Sequence, residues 1–234
     1  MWVNGYRQDL LDEGKSPNTV NAHLYTLNSY YKFLGYGGHQ SARVPEERSR
    51  PKALSAKISG GYSGIVDRAL SVRDKAIIYT AFYAGLSVAE LASMNVEDIT
   101  FYTDGGRLTV PERTRLKGRR IEFLKTLKPH LKAHVIDMIR KGQYPDCPTS
   151  EQSQKVETPL WQNRQKKRLT GRMIQSIVNN LGAILDLPLS LNTIRNTWLA
   201  AESAKRKNDR ARLARMSGFK SGQTLVHYKD PVIV

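Results

Sequence analysis

Basic side chains, the groups that bind phosphate, are concentrated in three segments of this sequence. The first carries Arg113, Arg115, Lys117, Arg119 and Arg120, the second Arg164, Lys166, Lys167, Arg168 and Arg172, and the third Arg195, Lys205, Arg206, Lys207, Arg210, Arg212, Arg215 and Lys220. The third segment contains only Glu202 and Asp209 as acidic residues. Any one cluster alone could be a solvated surface, but three together predict one phosphate-binding surface.

The charge of the whole chain also indicates a polyanionic partner. Its 234 residues include 37 Lys and Arg against 21 Asp and Glu, which gives a formal net charge of +16 and an isoelectric point near 10.0. Because binding to phosphates releases condensed counterions, this excess predicts a nucleic-acid partner. The alternative is a basic surface that is simply solvated. A hydrophobic fraction of 40% is ordinary for a globular protein with its own core.

Other residue types argue against several classes of function. The single cysteine, Cys147, permits no disulfide within the chain, which favours a reducing compartment. With the nucleic-acid partner that the charge predicts, we expect a cytoplasmic, nucleoid-associated protein. The longest apolar stretch, 76–86, is too short to span a bilayer, and residues 1–4 do not begin a signal peptide. His130 and His134 have the spacing of a metal pair, but without a third ligand nearby we expect a solvated helix face and no metal.

Residues 1–50 predict a small helical unit followed by a linker. One helix is expected at 4–13. Ser16 and Pro17 then provide an N-cap and a first helical proline for a second helix, which ends at Gly35. The aromatic residues of this second helix are interpreted as core and packing residues rather than base-stacking ones: Tyr25, Tyr30, Tyr31 and Phe33.

Residues 51–234 predict a larger unit that is mainly α-helical with a small antiparallel β-sheet, an α+β fold. Helices are expected at 55–70, 72–84, 87–94, 127–141, 171–185 and 191–204, and further segments at 208–217 and 221–228 close the chain. Two strands, Leu108–Pro111 and Arg120–Phe123, flank a basic turn at 112–119. A polar loop is expected at 142–158.

Four segments in this order resemble the conserved boxes of the tyrosine recombinase (phage integrase) family. They are Ser16-Pro17-Asn18-Thr19; Arg73-Asp74-Lys75-Ala76 with Ala84-Gly85-Leu86-Ser87-Val88-Ala89-Glu90-Leu91; Ile194-Arg195-Asn196-Thr197-Trp198-Leu199-Ala200; and Ser217-Gly218-Phe219 with Thr224-Leu225-Val226-His227-Tyr228. The resemblance covers nearly the whole chain. It implies a tyrosine recombinase catalytic-domain fold over 51–234, preceded by a short core-binding unit over 1–50.

The resemblance implies cleavage of duplex DNA through a covalent intermediate. Tyr228 takes the place of the nucleophile that forms a 3′-phosphotyrosine, and Arg195 that of one of two arginines that stabilise the charged transition state. A lysine of the hairpin turn would be the general acid, and Arg115 and Lys117 are the candidates. Glu90 keeps the acidic residue of the first box. No metal or other cofactor is implied, the two units would embrace duplex DNA, and a homo-oligomer on DNA is compatible with this reading.

Three positions depart from the family pattern. Ser87 stands where the other arginine is expected, and it cannot make a charged bidentate contact with phosphate. Its position after Gly85-Leu86 instead predicts a helix N-cap. Asn192 stands at a histidine position and cannot carry a proton, and Phe219 stands at a His or Trp position and has no donor. Losing one transition-state donor typically slows catalysis by about 10²–10³. We therefore expect a DNA-binding protein of recombinase fold with impaired or lost strand cleavage.

Two alternatives stay open at this point. One is an active, divergent recombinase that uses Arg115 or Lys117 with Arg195 and Tyr228. The other is a generic basic nucleic-acid-binding protein. A recombinase fold should prefer inverted-repeat half-sites, whereas a generic basic protein should bind without regard to sequence and with strong salt dependence.

Overall fold

The structure is a computed structural model that describes residues 2–37, 43–45, 51–54, 66, 70–112, 118–144, 157–205, 209–219, 222, 225, 228 and 232–233. The chain divides into two compact units, Met1–Ser49 and Arg50–Val234, called here the N-terminal and the C-terminal unit. Most of the helix predicted at 55–70 lies outside the described residues, as do Cys147, most of the polar loop and most of the closing segment at 221–228.

Two helices, α1 (Trp2–Asp12) and α2 (Pro17–Phe33), form most of the described part of the N-terminal unit. Ser16 caps α2 as predicted, because its Oγ accepts a hydrogen bond from the Thr19 amide at 3.3 Å. Pro17 holds a first-turn position, where its missing N–H has no cost. The two helices pack through a small buried core: Val3, Leu10, Val20 and Leu24.

The aromatic residues of α2 do not all pack as predicted. The Tyr31 ring contacts Trp2, with 5.8 Å between the ring centroids. In contrast, Tyr25, Tyr30 and Phe33 are exposed, Phe33 to 85%. The reason is geometric: in the described part of this unit α1 and Val44 pack on one face of α2, and that face suffices for the core.

The helices of the C-terminal unit are α3 (Val72–Ala84), α4 (Val88–Ser93), α5 (Lys128–Arg140), α6 (Gly171–Leu185), α7 (Leu191–Lys205) and α8 (Arg210–Ser217). A short 3-10 turn spans Val96–Asp98. The predicted helices at 72–84 and 171–185 are confirmed at both ends. Helix α3 is buried along most of its length and lies in the main hydrophobic core.

Gly85 ends α3 and allows α7 to approach it closely. Its backbone is left-handed, with φ of 57°. A Cβ at this position would lie 2.2 Å from the ring of Trp198. The chain therefore needs glycine here both for the conformation that ends the helix and for the contact between α3 and α7.

Short strands from the two ends of the C-terminal unit pair in parallel. They are β1 (Lys52–Ala53) and β5 (Val232–Ile233). Helix α7 holds β1, since the Leu54 amide donates to Thr197 Oγ1 at 2.8 Å and Asn196 Nδ2 donates to Lys52 O at 3.0 Å. The sequence analysis did not predict this pairing, because strands of two residues carry no measurable periodicity.

A three-stranded antiparallel sheet has the order β2 (Ile99–Tyr102), β3 (Gly105–Val110) and β4 (Arg119–Leu124). In its register Val110 lies opposite Arg119. The sequence predicted β3 and β4 but not β2. Three of the four β2 residues are exposed, so the strand lacks the alternation that marks a half-buried one.

The prediction of a solvated helix face at both His130 and His134 is wrong. His134 is 3% exposed, stacks on Trp161 with 5.2 Å between centroids, and donates from Nε2 to Leu160 O at 2.8 Å. His130 stacks on Tyr79 at 3.6 Å. Among the described residues, no three His, Cys, Asp or Glu side chains gather as a metal site. Nor does any described helix have the length and apolar character needed to cross a membrane.

Candidate active site

Glu90 is the buried acid around which the candidate site is built. It lies in the first turn of α4 and is 1% exposed. The Glu90 amide donates to Ser87 Oγ at 3.3 Å, and the Ser87 amide donates to Glu90 Oε2 at 2.7 Å. This capping box confirms Ser87 as an N-cap and fixes the carboxylate at the start of the helix.

Arg195 reaches this carboxylate from α7. Its Nη1 donates to Gly85 O at 2.5 Å and to Glu90 Oε2 at 3.3 Å, and its Nη2 donates to Ser217 O at 2.8 Å. Both carbonyls lie at the C-terminal ends of helices, where unpaired oxygens carry partial negative charge. A carboxylate and two helix ends therefore hold the buried guanidinium in place.

A second guanidinium, that of Arg119, binds the same carboxylate from β4. Arg119 Nη1 donates to Glu90 Oε1, Nη2 to Glu90 Oε2 at 3.4 Å, and Nε to Met216 O at 2.7 Å. Its side chain is 5% exposed. Arg119 is buried because it shares a strand face with Ile121 and Phe123, both of which lie in the core.

Two cations thus share one buried anion. Burial alone would raise the pKa of Glu90, but the hydrogen bond and charge of Arg119, with the bonds from Ser87, hold that pKa below its ordinary value of 4.5. Burial lowers the pKa of Arg195; the Glu90 charge opposes this and the Arg119 charge adds to it. Since arginine stays protonated in proteins, the cluster carries one excess positive charge at neutral pH.

Tyr228 lies in the same neighbourhood. Its ring packs against Phe219, with centroids 6.4 Å apart, in a cluster with Leu213 and Leu225. Phe219 also contacts Arg195, whose Cζ lies 5.3 Å from the ring centroid. Burial raises the pKa of Tyr228, and the Arg195 charge partly opposes that shift. The phenol is therefore protonated at neutral pH and must lose its proton to act as a nucleophile.

The three departures from the family pattern bring no proton carrier into this site. The Ser87 hydroxyl is engaged as the cap of α4. Asn192 is exposed, one turn before Arg195 on α7, and its amide does not titrate. Phe219 fills its position with an apolar ring. The arrangement can bind an oxyanion and present a phenol, but none of these three residues can relay a proton.

The other predicted phosphate contacts are spread over the surface of the described residues. The exposed ones are Arg120, Arg164, Lys166, Lys167, Arg172 and Lys205. Arg168 differs, because it donates to Ala92 O at 3.2 Å, to Met94 O at 2.9 Å and to Asn95 Oδ1. Outside the described residues lie Arg113, Arg115, Lys117, Arg206, Lys207 and Lys220. Contact of any of these residues with DNA stays a prediction.

Sequence reasoning placed Arg119 in the basic turn and missed its bond to Glu90. A pattern that could have found it is present, since Arg119 alternates in phase with Ile121 and Phe123. The predicted strand began one residue late, at Arg120, so the inward position of Arg119 was overlooked.

Known proteins resemble this chain over most of its length. Residues 62–232 match the sequence model of the Phage integrase family. Tyrosine recombinase XerC of Thermodesulfovibrio yellowstonii is 27% identical over 214 residues, which cover 84% of this chain and 66% of that protein. Tyrosine recombinase XerA of Pyrococcus horikoshii is 32% identical over 96 residues, 39% of this chain and 32% of that protein. The chain thus spans less than two thirds of the length of these relatives.

Solved structures share the fold. XerH site-specific recombinase bound to difH substrate, in a pre-cleavage complex, matches with a TM-score of 0.75 at 14% identity, over 97% of this chain and 66% of that chain. A lambda integrase dimer bound to a COC' core site matches with a TM-score of 0.65 at 14% identity, over 97% of this chain and 63% of that chain. Together with the family match over residues 62–232, these findings show that the chain belongs to the phage integrase family of tyrosine recombinases.

Proposed function

We propose that this chain recognises specific sites on duplex DNA through its recombinase fold and cleaves the strand only slowly. One observation carries the proposal. Tyr228 and Arg195 lie together beside a buried, positively charged cluster, whereas Ser87, Asn192 and Phe219 bring no proton carrier to it. Among the described residues of the site, the candidate binding groups are kept, and these three positions supply no group that can transfer a proton.

The charge of the chain and its structural relatives support DNA as the partner. The chain carries a net charge of +16, and its described surface presents exposed cations on β4, α6 and the segment before α6. XerH and lambda integrase, which share the fold, are bound to DNA in their structures, and the lambda protein is a dimer there. We propose that this chain also binds duplex DNA and that two copies occupy inverted half-sites, as a protein of the cytoplasmic nucleoid.

The chemistry explains why cleavage should be slow. For the reaction, the Tyr228 oxygen must bond to phosphorus while the bond from phosphorus to the 5′-oxygen breaks. The phenol must also lose its proton, and the departing 5′-oxygen must gain one. Burial raises the pKa of Tyr228, and Asn192 cannot accept that proton. Each missing donor typically lowers the rate by about 10²–10³, although such effects do not simply add.

A fully active, divergent recombinase is the second candidate. The observation that favours it is the second guanidinium, since Arg119 brings to Glu90 a charge that Ser87 cannot provide. In this case cleavage would be fast despite Asn192 and Phe219, with Arg115 or Lys117 as the general acid.

Selection from a pool of random duplexes tests the binding proposal. Bound duplexes would be enriched at moderate salt, sequenced, and footprinted beside a scrambled duplex of the same composition. We expect an enriched inverted repeat that is bound at least ~10³-fold more tightly than the scrambled control. Equal affinity for both duplexes, with only a steep salt dependence, would show a generic basic protein instead.

A further inference from the structure

Arg119 is a buried cation that the charge of Glu90 does not require. Glu90 Oε2 already accepts from the Ser87 amide and from Arg195 Nη1, and Arg195 alone would balance the carboxylate. Arg119 adds a second guanidinium at an inward strand position, in line with buried Ile121. An apolar side chain there would pack without the penalty of removing a charge from water.

The excess positive charge therefore points to an anion. A cation without a full counter-charge is costly in the protein interior, because water is replaced by a medium of low dielectric constant. Arg119 and Arg195 also carry more N–H donors than their bonds to described residues use. A phosphodiester supplies one negative charge and two non-bridging oxygens, which match such donors.

Shared anchors fix the two guanidinium groups beside each other. Nε of Arg119 donates to Met216 O, and Nη2 of Arg195 donates to Ser217 O, so consecutive carbonyls at the end of α8 hold both. The chain continues from this helix end to Phe219, which packs on Tyr228. The segment whose carbonyls hold the two guanidinium groups therefore continues to the residue that packs on Tyr228, the candidate nucleophile.

We propose that Arg119, together with Arg195, binds the phosphate that Tyr228 attacks, and that it supplies the guanidinium that residue 87 lacks. This inference rests on the proposed function and names a further phosphate-contacting residue for it. The Ser87 amide and Arg119 Nη2 both donate to Glu90 Oε2, so residue 87 and Arg119 converge on one carboxylate oxygen. Arg119 stabilises the negative charge that builds up on the non-bridging oxygens as the Tyr228 oxygen bonds to phosphorus.

Neutral phosphate analogues test this contact directly. In the selected duplex, one phosphate at a time would be replaced by an uncharged methylphosphonate, and the dissociation constant measured. We expect the wild-type chain to lose about 10- to 100-fold in affinity at the attacked phosphate. Arg119→Gln should bind the unmodified duplex more weakly, and the methylphosphonate at that position should lower its affinity by a clearly smaller factor than in the wild type, with the remaining loss due to Arg195. The matched control is Arg107→Gln, an exposed sheet arginine paired with Glu122 at 2.7 Å, which should keep the wild-type penalty.

A rescue variant guards against a merely structural role for Arg119. Ser87→Arg combined with Arg119→Gln keeps a second guanidinium beside Glu90, so the double variant retains two cations at the carboxylate even where Arg119→Gln alone is unstable. We expect this double variant to regain the methylphosphonate penalty at the same phosphate. The inference would be overturned if folded Arg119→Gln lost as much affinity as the wild type when the attacked phosphate is a methylphosphonate. It would also be overturned if the folded double variant did not regain that loss.

The same data separate this inference from the proposed function. If the wild-type chain selects no duplex, the proposed function is wrong, and the role of Arg119 that rests on it is wrong as well. A wild-type chain that binds its site and loses affinity at one phosphate, with no change in that loss in Arg119→Gln, would keep the proposed function and remove only the role of Arg119.

Discussion

Two regions of the C-terminal unit take arginine side chains out of water, and they do so in opposite ways. Around Glu90, two buried guanidinium groups share one carboxylate, and the cluster keeps an excess positive charge. At the segment before α6, Arg168 is only partly buried and donates to two backbone carbonyls and to Asn95 Oδ1. The first region keeps an excess positive charge, which we propose binds a phosphate, whereas in the second region an arginine joins one segment of the protein to another.

A high density of basic residues therefore does not by itself identify a phosphate-binding site. Arg168 belongs to a dense basic cluster, yet it is only partly buried, and its bonds go to two backbone carbonyls and an amide oxygen rather than to a shared carboxylate. Arg119 and Arg195 lie far apart in the sequence and form the site because a buried acid, two helix ends and a strand face bring them together. The two arginines that we propose bind phosphate therefore differ from Arg168 in being buried and only partly neutralised.

The largest expected effect follows from removing the shared carboxylate. Glu90→Gln leaves two buried guanidinium groups without a counter-charge, so we expect a loss of about 3–5 kcal/mol in the free energy of unfolding, measured with urea. Added phosphate should restore part of this loss by binding the freed cations. The control is Glu122→Gln, which removes the exposed partner of Arg107 and should cause no measurable change. Equal losses in both variants would contradict the account.

A smaller effect on stability is expected in the segment before α6, which contains Arg168. Arg168→Met removes the hydrogen bonds that Arg168 donates to Ala92 O, Met94 O and Asn95 Oδ1, and we expect a loss of about 2 kcal/mol in the free energy of unfolding. The methylphosphonate penalty at the attacked phosphate should stay at its wild-type value. A selective loss of that penalty in Arg168→Met would place Arg168 in the phosphate site and remove the distinction between the regions.

The smallest expected effects are on the pH dependence of stability, to which His134 and Glu90 contribute in two different pH ranges. Burial lowers the pKa of His134 below 6.5, although its bond to Leu160 O opposes this, so the unfolded chain binds the proton first. Stability should therefore fall as pH decreases from about 6.5 through the folded pKa of His134. The Glu90 contribution is complete above 4.5 and should be lost only as pH falls through its lower folded pKa.

Single variants assign these two pH ranges. In urea unfolding at a series of pH values, the free energy of unfolding should depend less on pH in the upper range for His134→Phe, which keeps a ring against Trp161. In the lower range it should depend less on pH for Glu90→Gln. An unchanged pH dependence in the upper range for His134→Phe would mean that another group titrates there.

The sequence predicted the parts of the fold that local rules determine. Helix α3 begins after Ser71 and ends at Gly85, because a side-chain cap and a left-handed glycine mark its ends within the sequence itself. Pairing between β1 and β5 joins the two ends of the unit and leaves no local trace. His134 was misjudged because a histidine on a helix face does not reveal that Trp161, distant in the sequence, covers it.

The candidate site was predictable in part for the same reason. Tyr228, Arg195 and Glu90 were found by resemblance, and Ser87 was expected as an N-cap from its position after Gly85. Arg119 was not placed, since its role depends on tertiary contacts with Glu90 and Met216 that no short motif encodes.

Single-turnover cleavage of a nicked form of the selected duplex measures whether strand cleavage by this chain is impaired. The covalent protein–DNA adduct would be followed over time for the wild-type chain, for Tyr228→Phe, and for the double variant Asn192→His with Phe219→His, which restores the missing donors. We predict a slow wild-type adduct that is absent in Tyr228→Phe and that forms on the order of 10²-fold faster in the restored variant. A wild-type rate equal to that of the restored variant would contradict the claim that cleavage is impaired.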